Sequence, residues 1–405
     1  MSQSKPAPRV ALVGYGPWGR NIARNLFELG ALAGVCDSDA TRRAEVSSRW
    51  PDLPVWADSA ELQAALPADV AIAIAAPAAR HAELVRFFLL GGRDVFVEKP
   101  LALRVDEGEE LVRLAAQADR ILMIGHLLHY HPVIERLDEL VRSGVLGRLR
   151  YLYSNRLNLG RFRREENSLW SFAPHDVAVL LRLVGSAPNR VAATGGYFLH
   201  PKVADTTLTT LGWDNGVQAH IHVSWLHPFK EQRLVVVGQD AMAVFEDSRA
   251  DDKLGLYRHG VTWQDGVPQP RKAEREPVAV GTAEPLRHEM EVFLRAVSER
   301  LPPISDGLEG LAVLRVLDAA ERSLVAGGTP VELEAQAAPW RAHPTAVVGS
   351  AASIGAGTRV WHFCHVMDGA RIGRDCSLGQ GCFVADGAVL GDRVRLQMAS
   401  RSTKV

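Results

Sequence analysis

Nine aliphatic residues recur at a strict spacing of six near the end of this 405-residue chain, running Val348, Ile354, Val360, Val366, Ile372, Leu378, Val384, Leu390 and Leu396. Glycine follows five of them, at Gly349, Gly355, Gly373, Gly379 and Gly391, and a small or modest residue stands two places before each. A helix repeats at 3.6 residues and a half-buried strand at two, so a six-residue unit with its own turn glycine needs a different solution. It predicts a left-handed parallel β-helix whose triangular coils take about eighteen residues each. Nine hexads make three coils over residues 345–397. Cys364 and Cys382, eighteen apart in the sequence, are expected to stack inside the prism as small buried side chains, which leaves neither a metal knuckle nor a redox pair.

The rest of the chain is long enough for one or two further domains. Hydrophobic residues at 47% and charged residues at 23% describe a globular protein, and 46 basic against 47 acidic residues leave a net charge of −1. That balance offers no nucleic-acid surface and no polybasic patch for a membrane. The start, MSQSKPAPR, lacks the apolar core of a secretory signal, and the most apolar run, VAIAIAAPAA at 70–79, is too short to span a bilayer. A cytoplasmic enzyme is the expectation, and four cysteines are too few for a disulfide framework.

Residues 9–13, RVALV, lead directly into GYGPWG and then into the helical pattern RNIARNLFELG. Strand, G-x-G-x-x-G and helix in that order predict a dinucleotide loop: Gly14 makes the tight turn, Gly16 admits a pyrophosphate to the backbone, and Gly19 packs helix on strand, with Pro17 and Trp18 between them. A second strand ends at Asp37, placed to accept hydrogen bonds from ribose hydroxyls and to repel a 2′-phosphate, which favours NAD over NADP. Arg42 and Arg43 weaken that preference. Alternating strands and helices follow, as in a parallel doubly wound sheet, and put Ala76, Pro77, Glu98 and Lys99 at the carboxyl ends of strands, where such sheets bind ligands. Pro100 restrains Lys99, whose ammonium there could polarise a hydroxyl or carbonyl. A plain surface ion pair with Glu98 is the alternative.

Together the glycine loop, Asp37, the AAP segment leading to His81, and VEKPLA resemble the glucose-fructose oxidoreductase/inositol dehydrogenase (Gfo/Idh/MocA) family over about the first 330 residues. The resemblance implies an α/β Rossmann domain (1–125) followed by an α+β substrate domain with a mostly antiparallel sheet (126–335). It implies that the cofactor touches Gly14, Gly16, Pro17, Trp18, Gly19, Asp37, Ala76, Pro77, His81, Glu98 and Lys99. It also makes Lys99 catalytic, assisted by a histidine on the first long helix of the second domain, which is His175 when counted back from Gly185. Aspartate often stands four residues earlier in the family; here it is Ser171. Asp176 could substitute, although neighbouring helical residues point in different directions.

Three further stretches, GHLLHYHP at 125–132, RLNLGRFRREENSLWSFAPHD at 156–176 and SWLHPFKEQRLVVVG at 224–238, resemble bacterial UDP-sugar dehydrogenases that oxidise the 3-hydroxyl of UDP-N-acetylglucosaminuronic acid for surface polysaccharide. Arg156, Arg161, Arg163 and Arg164 with Asn158 offer donors for a carboxylate and a diphosphate, beside His175 and Asp176. Some such enzymes hand their hydride to 2-oxoglutarate. His227 and Lys230 are candidate lining residues. His126, His129 and His131 lack a carboxylate or cysteine at helical or hairpin spacing, so no metal site is expected.

The pattern at 305–328 starts with an N-cap and stops at glycines, as a closing helix of the second domain does. A short strand and a linker over 336–344 then precede the repeat. The tail resembles the beginning of an N-acetyltransferase of the same pathway, with Gly381 where asparagine is usual, and the period breaks at QMASRSTKV. His362 and His365 are therefore expected to be relics rather than catalysts, and the repeat to serve assembly of a homo-oligomer.

Overall fold

The computed structural model describes residues 8–160, 162–164, 166–333, 340–343, 345–349, 351–355, 357–373 and 376–396. The chain divides into two compact units, Met1–Leu333 and Glu334–Val405. Arg161, most of the 336–344 linker and the QMASRSTKV break lie outside the described residues.

In the first unit a six-stranded parallel sheet has the order β3-β2-β1-β4-β5-β6, built from β1 (Val10–Val13), β2 (Leu32–Cys36), β3 (Val55–Trp56), β4 (Ala71–Ile74), β5 (Val95–Glu98) and β6 (Leu122–Gly125). Helices α1 (Pro17–Glu28), α2 (Ala40–Arg49), α3 (Ser59–Ala65), α4 (His81–Leu90) and α5 (Val105–Gln117) connect them. β1, β2 and β4 are buried along their whole length. Continuous apolar runs are what a parallel sheet covered on both faces requires. Pro17 opens α1 at the position where a missing N–H costs nothing, and Ile22, Ala23 and Leu26 turn its apolar face inward.

The second sheet holds nine strands in the order β16-β13-β12-β11-β7-β10-β9-β8-β17. They are β7 (Leu149–Leu159), β8 (Arg190–Gly196), β9 (Thr206–Gly212), β10 (Gln218–Ser224), β11 (Leu226–Gly238), β12 (Met242–Glu246), β13 (Leu254–Tyr257), β16 (Arg275–Pro277) and β17 (Val331–Glu332), with the hairpin β14 (Gly260–Gln264) and β15 (Val267–Arg271) forming a separate ribbon. β7 and β10 pair in parallel and the other neighbours are antiparallel. Along β9 the residues Thr207, Thr209 and Leu211 are buried while their neighbours are not, the period-two signature of a sheet packed on one face. That face is covered by α7 (Ser168–Val184) and α9 (Gly307–Val325), with α6 (Pro132–Arg142) beside them, whose Leu169, Val177, Leu180, Val313 and Leu317 join one core with Leu152 and Ile221. α8 (Pro285–Glu299) packs instead on the first sheet through Met290 and Phe293.

Helix α9 serves both sheets. Ile124 of β6 donates to the carbonyl of Ser305 at 2.8 Å, and Asp306 caps the helix by accepting from Glu309 N at 2.9 Å. Farther along, Glu321 accepts from Asn167 at 2.8 Å and from the Trp170 indole at 3.1 Å, so it fixes the first turn of α7.

The second unit is a three-faced parallel β-helix. Arg341, Arg359, Ser377 and Arg395 are paired on one face, Val347, His365 and Phe383 on the next, and Ser353, Arg371 and Val389 on the third. Each step is eighteen residues, the coil length expected from the period. The first rung, Arg341–Ala342, falls inside the segment read as a linker. Ala342 is too small to register as a member of an aliphatic series. Cys364 and Cys376 are buried, and their thiols donate to the carbonyls of Gly379 at 2.9 Å and Gly391 at 3.1 Å, while Cys382 is half-buried against the same core. Gly381 sits at φ +72°, a left-handed conformation that glycine and asparagine both adopt, so its departure from asparagine preserves the turn.

Candidate active site

The glycine loop is packed on its protein side and bare at one point. A Cβ on Gly14, whose φ is +97°, would lie 2.6 Å from Ala75 O, and one on Gly19 would lie 2.0 Å from Gly14 O. One on Gly16 would meet nothing within 4 Å. The three glycines therefore divide as the motif requires, and Gly16 leaves the open cradle that a dinucleotide pyrophosphate needs. Asp37, buried at the end of β2, accepts from Tyr15 N at 2.6 Å and Asp39 N at 2.9 Å, which ties the loop to the second strand. Arg42 lies 3.4 Å from the Asp37 carboxylate, and Arg43 donates to the carbonyls of Asp37 and Ser38 at 2.8 Å.

His81 takes a different part from the one expected. It is 1% exposed, and its ring nitrogens face Pro100 O at 2.7 Å and Ala76 O at 2.9 Å. Both are occupied by backbone, so His81 clamps the AAP segment to the EKP segment. Burial is the main reason its pKa falls below the ordinary imidazole value.

Lys99 leaves the end of β5 and donates to the carbonyl of Ser171 in the first turn of α7 at 3.1 Å. The residue four before His175 thus contributes its main chain rather than the side chain sought there. Burial lowers the Lys99 pKa, opposed first by Glu166 and then by Glu98, while Arg163 and Arg156 add to the lowering. The Glu98 carboxyl is pushed up to about 7 by burial, against the Trp18 indole that donates to it and the charge of Lys99. Neither Glu166 nor the Trp18–Glu98 pairing was expected as part of this centre.

His175 is half-buried on α7, and its Nδ1 has no hydrogen-bond partner among the described residues. Burial first, then the charges of Lys99 and Arg156 and of His126 and His129 behind them, lower its pKa well below the ordinary value. The imidazole is therefore neutral at neutral pH.

Arg156 and Asp176, both expected against substrate, hold each other. Arg156 Nε and Nη2 lie 2.7 and 3.2 Å from the Asp176 carboxylate, whose Oδ1 also accepts from Ser154 Oγ at 2.6 Å. The remaining Nη1 reaches Gln232 at 3.0 Å with that amide oxygen turned toward it. The pair locks α7 onto β7, with all three guanidinium nitrogens of Arg156 engaged. Arg163 pairs with Glu166 at 2.9 Å, Arg164 is exposed, and Asn158 is half-buried with its Oδ1 unpartnered among the described residues. Lys230 lies 4.0 Å from Asp247, and His227 Nδ1 faces Phe229 O at 3.0 Å.

Two of the three histidines without a carboxylate in sequence acquire one in space. Glu309 of α9 takes His126 Nδ1 at 2.7 Å through one oxygen and His129 Nε2 at 2.9 Å through the other. His126, His129 and Glu309 could be read as ligands of an ion, since their ligand atoms lie within 4.8 Å of one another. Separations of 2.7 and 2.9 Å are those of charge-assisted hydrogen bonds, and they account for the cluster as it stands.

A bare glycine in a dinucleotide loop, with a restrained lysine and a neutral histidine across the sheet's carboxyl end, describes a dinucleotide-dependent oxidoreductase. The comparisons agree. Residues 8–126 match the oxidoreductase family with an NAD-binding Rossmann fold, residues 134–244 match the GFO/IDH/MocA C-terminal domain, and residues 345–386 match the bacterial transferase hexapeptide repeat. The chain belongs to the Gfo/Idh/MocA oxidoreductases, enzymes acting on CH–OH groups, and carries a hexapeptide-repeat unit after the family's two domains. It is 28% identical over 309 residues to the UDP-N-acetylglucosamine 3-dehydrogenase of Acidithiobacillus ferrooxidans, covering 76% of this chain and 94% of that one. A solved structure of that enzyme superposes with a TM-score of 0.69 at 27% identity, covering 79% of this chain and 98% of the other. The WlbA dehydrogenase of Bordetella pertussis, solved with NADH and UDP-GlcNAcA, shares the fold at a TM-score of 0.67 and 20% identity, covering 81% and 99%. Among the described residues no helix is long and apolar enough to cross a membrane.

Proposed function

We propose that this chain oxidises the 3-hydroxyl of a UDP-linked N-acetylhexosamine sugar with NAD. The observation that carries this reading is the setting of Lys99: a half-buried ammonium at the strand end that donates to Ser171 O, one turn before His175 on the same helix, and feels the charges of Glu166 and Glu98. NAD fits the residues present, with its pyrophosphate at Gly16 and its ribose hydroxyls at Asp37, and when bound it supplies the hydride acceptor. Lys99 holds and polarises the sugar hydroxyl. Its lowered pKa makes it a stronger hydrogen-bond donor than an exposed lysine. His175, neutral at neutral pH, accepts the hydroxyl proton as the carbonyl forms.

The sugar's sixth carbon separates two forms of the substrate. The sequence reading favours the uronate, whose carboxylate calls for a free cation; Arg163 and Arg164 are the exposed ones beside the site. The occupied Arg156 and the 3-dehydrogenase relative that takes UDP-N-acetylglucosamine favour the neutral sugar. Supplying each nucleotide sugar with NAD, with and without 2-oxoglutarate, and weighing the product distinguishes them. Lys99→Met is expected to lower kcat/KM by about a hundredfold or more on the true substrate. Undiminished turnover in that variant contradicts the assignment of Lys99.

A further inference from the structure

Glu98 and Lys99 are consecutive, yet their side chains have partners on different helices. Lys99 Nζ donates to Ser171 O on α7 at 3.1 Å, whereas Glu98 Oε1 accepts from the Trp18 indole in the first turn of α1. The other carboxyl oxygen, Oε2, accepts from the Lys99 amide at 3.3 Å. Gly125 of β6 pairs with Glu98, and a Cβ there would lie 3.0–3.1 Å from all three carboxyl atoms. The carboxyl therefore rests face-on against a bare glycine, in space that any other residue would narrow.

Trp18 comes to Glu98 from a distance. The two are 80 positions apart, and β4 lies between β1, which leads into the glycine loop, and β5, which ends at Glu98. Loop and indole together span two inter-strand steps, about 10 Å. Gly16, where the open cradle lies, stands two residues before Trp18. A hydrogen-bonded path thus runs from that loop through Trp18 and Glu98 to the Lys99 amide, and from the Lys99 ammonium to the helix that carries His175. Phenylalanine at position 18 would keep an aromatic ring there and deprive the half-buried carboxyl of the indole donor.

We propose that Trp18 and Glu98 are a positioning pair that fixes the Lys99 ammonium relative to the cofactor cradle. Neither residue makes or breaks a bond. The indole N–H is spent on the protein, and Glu98 passes its restraint to Lys99 through the Lys99 amide. A displacement of about 1 Å between reacting groups can cost about a hundredfold in rate, so a brace between cradle and lysine bears directly on turnover. The inference rests on the oxidoreductase reading above and deepens it, because the spacing matters only where the sugar held by Lys99 meets a cofactor held at Gly16.

Trp18→Phe in the full chain is expected to lower kcat on the UDP sugar it oxidises by about tenfold, with NAD affinity by calorimetry kept within about twofold. An undiminished kcat overturns the proposal, and so does a tenfold loss of NAD affinity, which would make Trp18 a cofactor contact. Glu98→Ala should lower kcat by a similar factor, and Trp18→Phe added to it should lower kcat no further; a second tenfold loss in the double variant overturns the pairing. Glu98→Gln keeps an oxygen for the indole and should retain at least about three times the turnover of Glu98→Ala, whereas equal losses contradict the hydrogen bond. Gly125→Ala should displace the carboxyl and lower kcat in the otherwise native chain but not in Glu98→Ala; equal losses in both backgrounds overturn the proposal. The brace is also read without substrate, by acylating Lys99 with a small anhydride and locating the product by peptide mass spectrometry. Trp18→Phe should raise that rate by about threefold or more, as the restrained lysine is released, and an unchanged rate overturns the proposal whether or not a sugar is oxidised. A native chain inactive on both UDP sugars, with Lys99 acylation raised as expected in the variant, contradicts the functional reading alone.

Discussion

Three acids of the first unit, Glu289 buried and Glu98 and Glu309 half-buried, are pushed in different directions by their surroundings. Glu309 faces two histidines and stays ionised, with its pKa lowered to about 2. Glu98 is raised to about 7, chiefly by burial. Glu289 is 0% exposed on α8, neither of its oxygens has a partner among the described residues, and burial together with the charge of Glu98 raises its pKa well above the ordinary value. Glu309 titrates lower in the folded state than in the unfolded one, so its pairing stabilises above the ordinary 4.5 and that stability is lost as pH falls from there toward 2. Glu289 titrates higher in the folded state, so its contribution is present below 4.5 and is lost as pH rises. Glu289→Leu is therefore expected to stabilise the protein by about 1–3 kcal/mol near neutral pH, with a smaller gain in acid, as read by urea unfolding at several pH values. A gain that grows toward acid contradicts this. His175 has the opposite sense to Glu289: its folded pKa is depressed below 6.5, so stability falls as pH drops below that value, when the unfolded imidazole takes up a proton. For the same reason the acid limb of kcat/KM should lie below 6.5, and a limb at or above it would remove His175 as the base.

At the scale of elements, α7 is positioned by two polar locks, Asn167 and Trp170 on Glu321 at its start and Asp176 on Arg156 a turn and a half later. Arg156→Met leaves the buried Asp176 carboxylate unpaired and is expected to cost about 3–5 kcal/mol, whereas the double variant with Asp176→Leu recovers most of it. A double-mutant cycle with no coupling would show that packing alone holds the helix. This lock was half legible. Leu152 and Ser154 are buried along β7 and Arg156 follows two places on, half-buried, where an arginine in a strand signals an acid partner; reading the four arginines together as donors for substrate obscured that. The placement of the glycine loop, Asp37 and Lys99 at strand ends was legible because strand, turn and helix set it locally. Glu309 was not, since its position beneath His126 depends on the Ser305–Asp306 segment joining the edge of β6. The acid three residues after Asp306 looked like an ordinary capping pair, and only the packed structure turns it toward two histidines.

The whole molecule joins two units whose cores have different origins. The first buries large aliphatic and aromatic side chains in separate clusters on its sheets; the second stacks small and aliphatic residues one coil above another. Period made the second unit the most legible part of the chain, apart from its first rung at Ala342. Because the candidate site is assembled wholly from residues of the first unit, deleting 334–405 is expected to leave NAD affinity within about twofold by calorimetry; a loss beyond about tenfold would show that the second unit supports the site. The account as a whole turns on the substrate. Purified full-length chain incubated with NAD and either UDP-N-acetylglucosamine or UDP-N-acetylglucosaminuronic acid should yield, by mass spectrometry, a nucleotide sugar lighter by two hydrogens and ketonic at C3, lost in Lys99→Met. Oxidation at another carbon, or none with either sugar, contradicts it.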